Sequence, residues 1–134
     1  MKDLTSHAIA ARQQAYAPYS KFRVGAALRL KNGHIVTGAN VENCSYGLTI
    51  CAERTAIGMA VMQGAKPGDI EAIAVAADSP EAIAPCGACR QVLAEFADPQ
   101  TPVFLHNVRD QSVEQTTLGE LLPMAFHARN LERV

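Results

Sequence analysis

No run of about 18 apolar residues occurs in the chain, which leaves no candidate for a membrane-spanning helix. A basic stripe is missing too. Arg12, Lys21, Arg23, Arg29 and Lys31 are interleaved with apolar residues, and the formal net charge is −1. Proteins that grip long nucleic acids carry clustered positive charge to neutralise phosphates, so nucleic acid is not expected as a partner. The stretch MKDLTSHAIAARQQAYAPYS has no sustained apolar core ahead of a cleavage site and reads as an amphipathic helix rather than a signal peptide. The expected address is therefore cytoplasmic. Internal repeats, low-complexity tracts and linkers are also lacking, so the 134 residues are read as a single domain, 1–134. Cysteine is sparse. In a reducing compartment the four present, Cys44, Cys51, Cys86 and Cys89, are expected to bind metal or do chemistry rather than form disulfides.

What is present suits a folded core. Hydrophobic residues make up 49% of the chain and charged residues 19%, and a chain of this size buries roughly two-thirds of its unfolded surface. Leu4, Ala8, Ile9, Ala11 and Ala15 recur at helical spacing ahead of Pro18. Val24, Ala26, Leu28 and Leu30 alternate, Asn32-Gly33 supplies a tight turn, and Ile35, Val36 and Val41 continue on the far side; this predicts a hairpin. A helix follows over ICAERTAIGMAVMQG, with Thr49 as its expected N-cap and Gly64 as its stop. IEAIAVAA (70–77) reads as a strand buried on both faces. Pro85 is expected to open another helix, running to about Ala97. PVFLHNV (102–108) and a weaker segment near 113–116 read as strands, and LGELLP as a short final helix. The order predicts a three-layer α/β domain around a mixed sheet.

Both central helices begin with cysteines. Cys86 and Cys89 are i and i+3, so their sulfurs can face one point, and Cys51 stands at the start of the other helix. Helix N-termini offer partial positive charge, which favours the thiolate. A Cys-x-x-Cys pair alone is compatible with a redox couple, half of a structural zinc site, or part of a catalytic one. Three converging thiolates point to zinc, and catalytic zinc keeps its fourth position for water. A fourth protein ligand would have to be Cys44, His7, His34, His106 or His127. None of the histidines adjoins the other ligands in sequence, and Cys44 is read as a small buried apolar residue. Glu53 could reach past the metal and move protons, although a first-turn glutamate is also simply favoured by the helix dipole.

CAE (51–53) and PCGAC (85–89), with NVENCSYGLTICAERTAI and PCGACRQVLAEF around them, resemble the small three-cysteine cytidine deaminases. The likeness runs from about Tyr19 to Phe126. It implies a three-layer α/β/α cytidine-deaminase-like fold whose mixed five-stranded sheet has the order 2-1-3-4-5. It implies one Zn²⁺ per subunit on Cys51, Cys86 and Cys89. Glu53 would carry a proton from water to ring N3 and then to the departing amine, converting cytidine or 2'-deoxycytidine to the uridine and ammonia in pyrimidine salvage. Asn40 and Glu42 match positions that bond the ribose hydroxyls, Phe22 one that packs near the pyrimidine, and the Ala52 N–H one that holds the base carbonyl. Val41, Asn43 and Tyr46 complete the implied substrate-binding set. Phe126 matches a residue given to a neighbouring subunit's pocket, within a homotetramer whose sites are shared.

Charge counting singles out Arg54. Three thiolates and Zn²⁺ sum to about −1; Arg54 stands at i+3 from Cys51, and the resemblance implies that an arginine here donates hydrogen bonds to the ligand sulfurs and draws off that excess. Arg90 could do the same, but reads as an ordinary exposed helix arginine. Two departures stand out: Cys44 lies outside the signature, and Met124 stands where relatives often carry glycine. Rival readings remain. A redox protein would explain PCGAC alone; a closed zinc module would need Cys44 as fourth ligand. Within the superfamily, a nucleobase or aminonucleoside-antibiotic deaminase is the nearest competitor, against which NVEN argues as a ribose reader.

Overall fold

Asn32-Gly33 turns the chain as expected, with Gly33 at φ 91°, a conformation glycine adopts without penalty. The hairpin pairs β1 (Val24–Leu30) with β2 (Ile35–Ala39), Leu28 opposite Val36. In the computed structural model, which describes residues 2–131, β1 also pairs antiparallel with β3 (Ile70–Ala77). β3 runs parallel to β4 (Pro102–Asn107), and β5 (Ser112–Thr117) closes the far edge antiparallel to β4. The sheet order is β2-β1-β3-β4-β5. β3 is its centre and is buried along nearly its whole length, which explains a continuous apolar run instead of an alternating one.

Helices cover both faces. On one side α1 (Lys2–Arg12) lays Leu4 and Ala8 over Ala27, Ala72, Ala74 and Ala76. These small side chains let the helix come close. On the other side α2 (Ala52–Met62) and α3 (Gly87–Phe96) pack Ala56, Ile57 and Leu93 against Leu28, Val36, Ile73, Val75 and Leu105. A short α4 (Leu118–Leu121), capped by the Thr117 hydroxyl accepting from the Glu120 N–H, joins that layer. No helix among the described residues is long and apolar enough to cross a membrane.

Three element boundaries differ from expectation. α1 ends at Arg12, earlier than its apolar spacing suggested. Thr49 does not cap α2; its hydroxyl accepts from the Asn43 N–H instead, and Cys51 is the N-cap. Pro85 precedes α3, and Cys86 is the N-cap. Met124, fully exposed, sits at φ 51°, a conformation that costs an L-residue roughly 1–2 kcal/mol. Met124→Gly is expected to be a net gain of about 0.5 kcal/mol once glycine's greater unfolded entropy is subtracted, raising Tm by roughly 2 °C. A calorimetric scan showing an unchanged or lower Tm would contradict this.

Candidate metal centre and active site

Because α2 follows β2 and α3 follows β3 on the same face of the sheet, the two helix starts meet. Cys51 and Cys86 occupy the two N-cap positions in extended backbone (φ −72°, ψ 156° and φ −66°, ψ 166°), and neither sulfur caps its own helix. Their carbonyls accept the first helical bonds, from Thr55 N–H at 3.0 Å and Arg90 N–H at 2.9 Å. The sulfurs are thus left to point outward. Cys51 Sγ and Cys86 Sγ lie 4.0 Å apart, and with Cys89 all three fall within 4.8 Å of one another. Cys89 is wholly buried.

Electrostatics say what such a cluster needs. Burial pushes the Cys89 thiol far up, and the Glu53 carboxylate and the other two cysteines push it further. Burial also opposes ionisation of Cys86, but hydrogen bonds from Cys89 and Cys51 outweigh it and bring that thiol down. Three thiolates can share this space only when a cation compensates them, and three soft donors within 4.8 Å of one another suit zinc. Among the described residues no histidine and no carboxylate joins the set. Cys44, expected to be a buried apolar residue, is instead exposed, its thiol turned toward Asn43 Oδ1 and outside the cluster. Cys44→Ala is accordingly expected to leave the bound zinc per chain unchanged in elemental analysis; loss of metal would mark Cys44 as a ligand.

Glu53, the second residue of α2, is only 4% exposed. Burial raises its carboxyl above the ordinary range, while its own backbone N–H and Arg54 pull against that. A carboxyl whose affinity for a proton is raised by burial, beside a metal position, can both take and return a proton. Arg54 Nη2 lies 3.8 Å from Cys51 Sγ and 3.4 Å from the Thr49 carbonyl. Its hydrogen bond with Cys51 holds the guanidinium even more firmly protonated than usual.

Of the candidate substrate residues, Glu42 and Tyr46 line one cavity, whereas Phe126 lies apart from it, against α3. Asn40 is buried; its Oδ1 accepts from the Val24 N–H at 2.9 Å and its Nδ2 donates to the Phe22 carbonyl at 2.8 Å, fixing the backbone on both sides of Arg23. Glu42 accepts from the Tyr19 and Ser20 N–H groups at 3.0 and 3.1 Å and from the Ser20 hydroxyl, which keeps its carboxyl below the usual range. Tyr19, Ser20, Glu42, Tyr46 and Thr49 line a cavity of about 300 Å³. Tyr46 meets Tyr19 edge to face with ring centroids 6.1 Å apart. Val41 bridges Tyr16 and Ile50 and keeps its side chain exposed. Asn43 closes a turn, its Oδ1 accepting from the Ser45 N–H at 2.9 Å. The Ala52 amide, first in α2, has no helical acceptor. Phe22 is partly exposed, and Phe126 stands more than half exposed with its carbonyl held by Gln91.

Two residues escaped the reading of the sequence. Ser20 orients Glu42 across 22 positions, which no local pattern signals. Arg90 is not an ordinary exposed helix arginine: it is half-buried and bonds two carbonyls at 2.6 Å.

An α/β layer fold with three sulfurs and one buried carboxyl at two helix tips defines the class as a zinc-site hydrolase of the deaminase kind. The signature described as "Cytidine and deoxycytidylate deaminase zinc-binding region" matches residues 1–105, and the chain belongs to that family. It is 51% identical to a cytidine deaminase of Halalkalibacterium halodurans over 96% of this chain and 95% of that one. Among solved structures, the cytidine deaminase from Burkholderia pseudomallei superposes with a TM-score of 0.89 at 51% identity, covering 93% of this chain and 98% of that chain. The cytidine deaminase from Mycobacterium tuberculosis gives 0.80 at 41%, covering 93% and 95%.

Proposed function

We propose that the protein hydrolyses the C4 amine of cytidine and 2'-deoxycytidine, releasing ammonia and the corresponding uridine, as one catalytic domain spanning the chain. The observation that carries this reading is the meeting of Cys51, Cys86 and Cys89 within 4.8 Å beside a buried Glu53. Bound zinc would supply the Lewis acid that makes water a nucleophile at neutral pH. The chain's own residues do the rest. Glu53 accepts one proton from the attacking water and gives it to ring N3; it then takes the remaining hydroxyl proton of the C4 adduct and passes it to the amine, so that ammonia leaves as the C4 carbonyl forms. The Ala52 N–H donates to the base carbonyl, and Phe22 packs beside the ring. Asn40 and Glu42 receive the ribose, Glu42 already oriented by Ser20; Val41, Asn43 and Tyr46 shape the same loops.

The setting we propose is cytoplasmic pyrimidine salvage by a homotetramer in which Phe126 completes a neighbour's pocket. Support for association comes from Tyr16, Tyr46, Leu48, Ile50 and Phe126, large apolar side chains left exposed. The direct test incubates the protein with cytidine, deoxycytidine, cytosine and CMP and follows the loss of amino-pyrimidine absorbance. Turnover of both nucleosides well above the base and the nucleotide is expected; preference for cytosine or CMP would refute the ribose-reading assignment. Arg54→Ala is expected to keep zinc at least in part but to lose turnover about 10- to 100-fold. Unchanged steady-state kinetics in that variant would remove Arg54 from the machinery.

A further inference from the structure

We propose that Arg90 is a positioning residue for the metal centre, a single guanidinium clamping the peptide that enters Cys86 to the segment 121–126. The ligand Cys86 ends a connection, residues 78–86, that has no regular backbone hydrogen bonding of its own. Its far end is held by Asn107, whose side chain bonds both the N–H and the carbonyl of Ser79. Its near end is held by Arg90. Nε donates to the Pro85 carbonyl at 2.6 Å, and that carbonyl shares a rigid peptide plane with the Cys86 N–H. The main-chain N–H of the same arginine donates to the Cys86 carbonyl at 2.9 Å. Both peptides flanking the ligand are therefore fixed by one residue, which sets the φ and ψ of Cys86 and hence where its sulfur points.

The other arm reaches away from the metal. Nη1 donates to the Leu121 carbonyl at 2.6 Å, and the next residue, Gln91, donates through Nε2 to the Phe126 carbonyl at 2.8 Å. Consecutive residues of α3 thus grip the two ends of LLPMAF, while Cys89 of the same helix is a ligand. Among the described hydrogen bonds Arg90 makes none to sulfur, so its action is geometric and differs from that of Arg54. A planar fork suits this task because it serves two carbonyls in fixed directions; a lysine ammonium has three donors, but they sit at one point on a flexible stem and hold neither carbonyl in a fixed direction.

This inference rests on the reading of the three sulfurs as the zinc site, and the test separates the two. Zinc-loaded wild type, Arg90→Ala, Arg90→Lys and Gln91→Ala are mixed with a chromogenic chelator well below their melting temperatures, and the cobalt-substituted forms are compared by visible spectrum. Arg90→Ala is expected to release zinc about 10- to 100-fold faster and to show a shifted cobalt spectrum. Arg90→Lys falls between it and wild type, and Gln91→Ala releases at the wild-type rate. Equal release from wild type and folded Arg90→Ala, with the same cobalt spectrum, overturns the clamp while leaving the metal site standing. Should Arg90→Ala not fold, Arg90→Gln decides by the same comparison. Wild-type protein that takes up no zinc overturns the metal site itself.

Discussion

Replacing Glu53 by glutamine is expected to lower turnover of cytidine by about 10²- to 10⁴-fold, equivalent to about 3–5 kcal/mol of lost transition-state stabilisation. The bound zinc should not change, because glutamine has the same shape and the three sulfurs are untouched. The size of the effect follows from where the carboxyl lies. It is nearly sealed from solvent, so bulk water cannot take over the proton transfer it performs. Glutamine can still accept a hydrogen bond there, but it cannot carry the proton away. The competing account treats Glu53 as a first-turn acid that merely complements the helix dipole, which is worth about 0.3–1 kcal/mol. That account predicts a small drop in Tm and normal turnover. Steady-state kinetics alongside metal analysis separate the two: a near-normal rate in zinc-replete Glu53→Gln protein would strip the residue of its role.

Local signals carried the elements of this fold. The hairpin was legible because alternation and Asn32-Gly33 agree on one register, and β3 because only a strand covered on both faces tolerates so apolar a run. The meeting of Cys51, Cys86 and Cys89 beside a buried Glu53 was legible because these residues lie in two short motifs, each at the start of a helix. At Thr49 and Arg90, by contrast, the side chain is committed to a partner outside its own element. Thr49 has the chemistry of an N-cap, but its hydroxyl is spent on Asn43. Arg90 has the spacing of a surface residue, but the Leu121 carbonyl lies 31 positions away. The same holds for Asn40, whose likeness to a ribose-binding position says nothing of the Phe22 and Val24 backbone that it fixes. Spacing reveals which residues can share a helix face; it does not reveal which loop arrives to meet them.

Gly38 illustrates that limit with the largest structural consequence. It lies in the middle of β2 on the face that carries α2, and it looks like a weak point in a strand. A Cβ there would stand 2.4 Å from Ala56 N, 2.6 Å from Ala52 O and 3.0 Å from Ala56 Cα. Ala52 and Ala56 are i and i+4, so the added methyl would press on a hydrogen-bonded turn of the helix. Every contact is backbone, so no side chain can rotate away and α2 as a whole must move. Overpacking of this kind costs about 3 kcal/mol, which lowers Tm by roughly 10 °C. The displaced turn directly follows Cys51 and includes Glu53 and Arg54, whereas Cys86, the N-cap of α3, and Cys89 within it would stay behind. Gly38→Ala should therefore lose zinc as well as stability. A variant made equally unstable by truncating Leu4, on the opposite face of the sheet, should keep its metal once folded. Calorimetry and elemental analysis on the two together test this, and a Gly38→Ala protein that melts like wild type with its zinc in place would show that α2 does not lie on the sheet at the distance described.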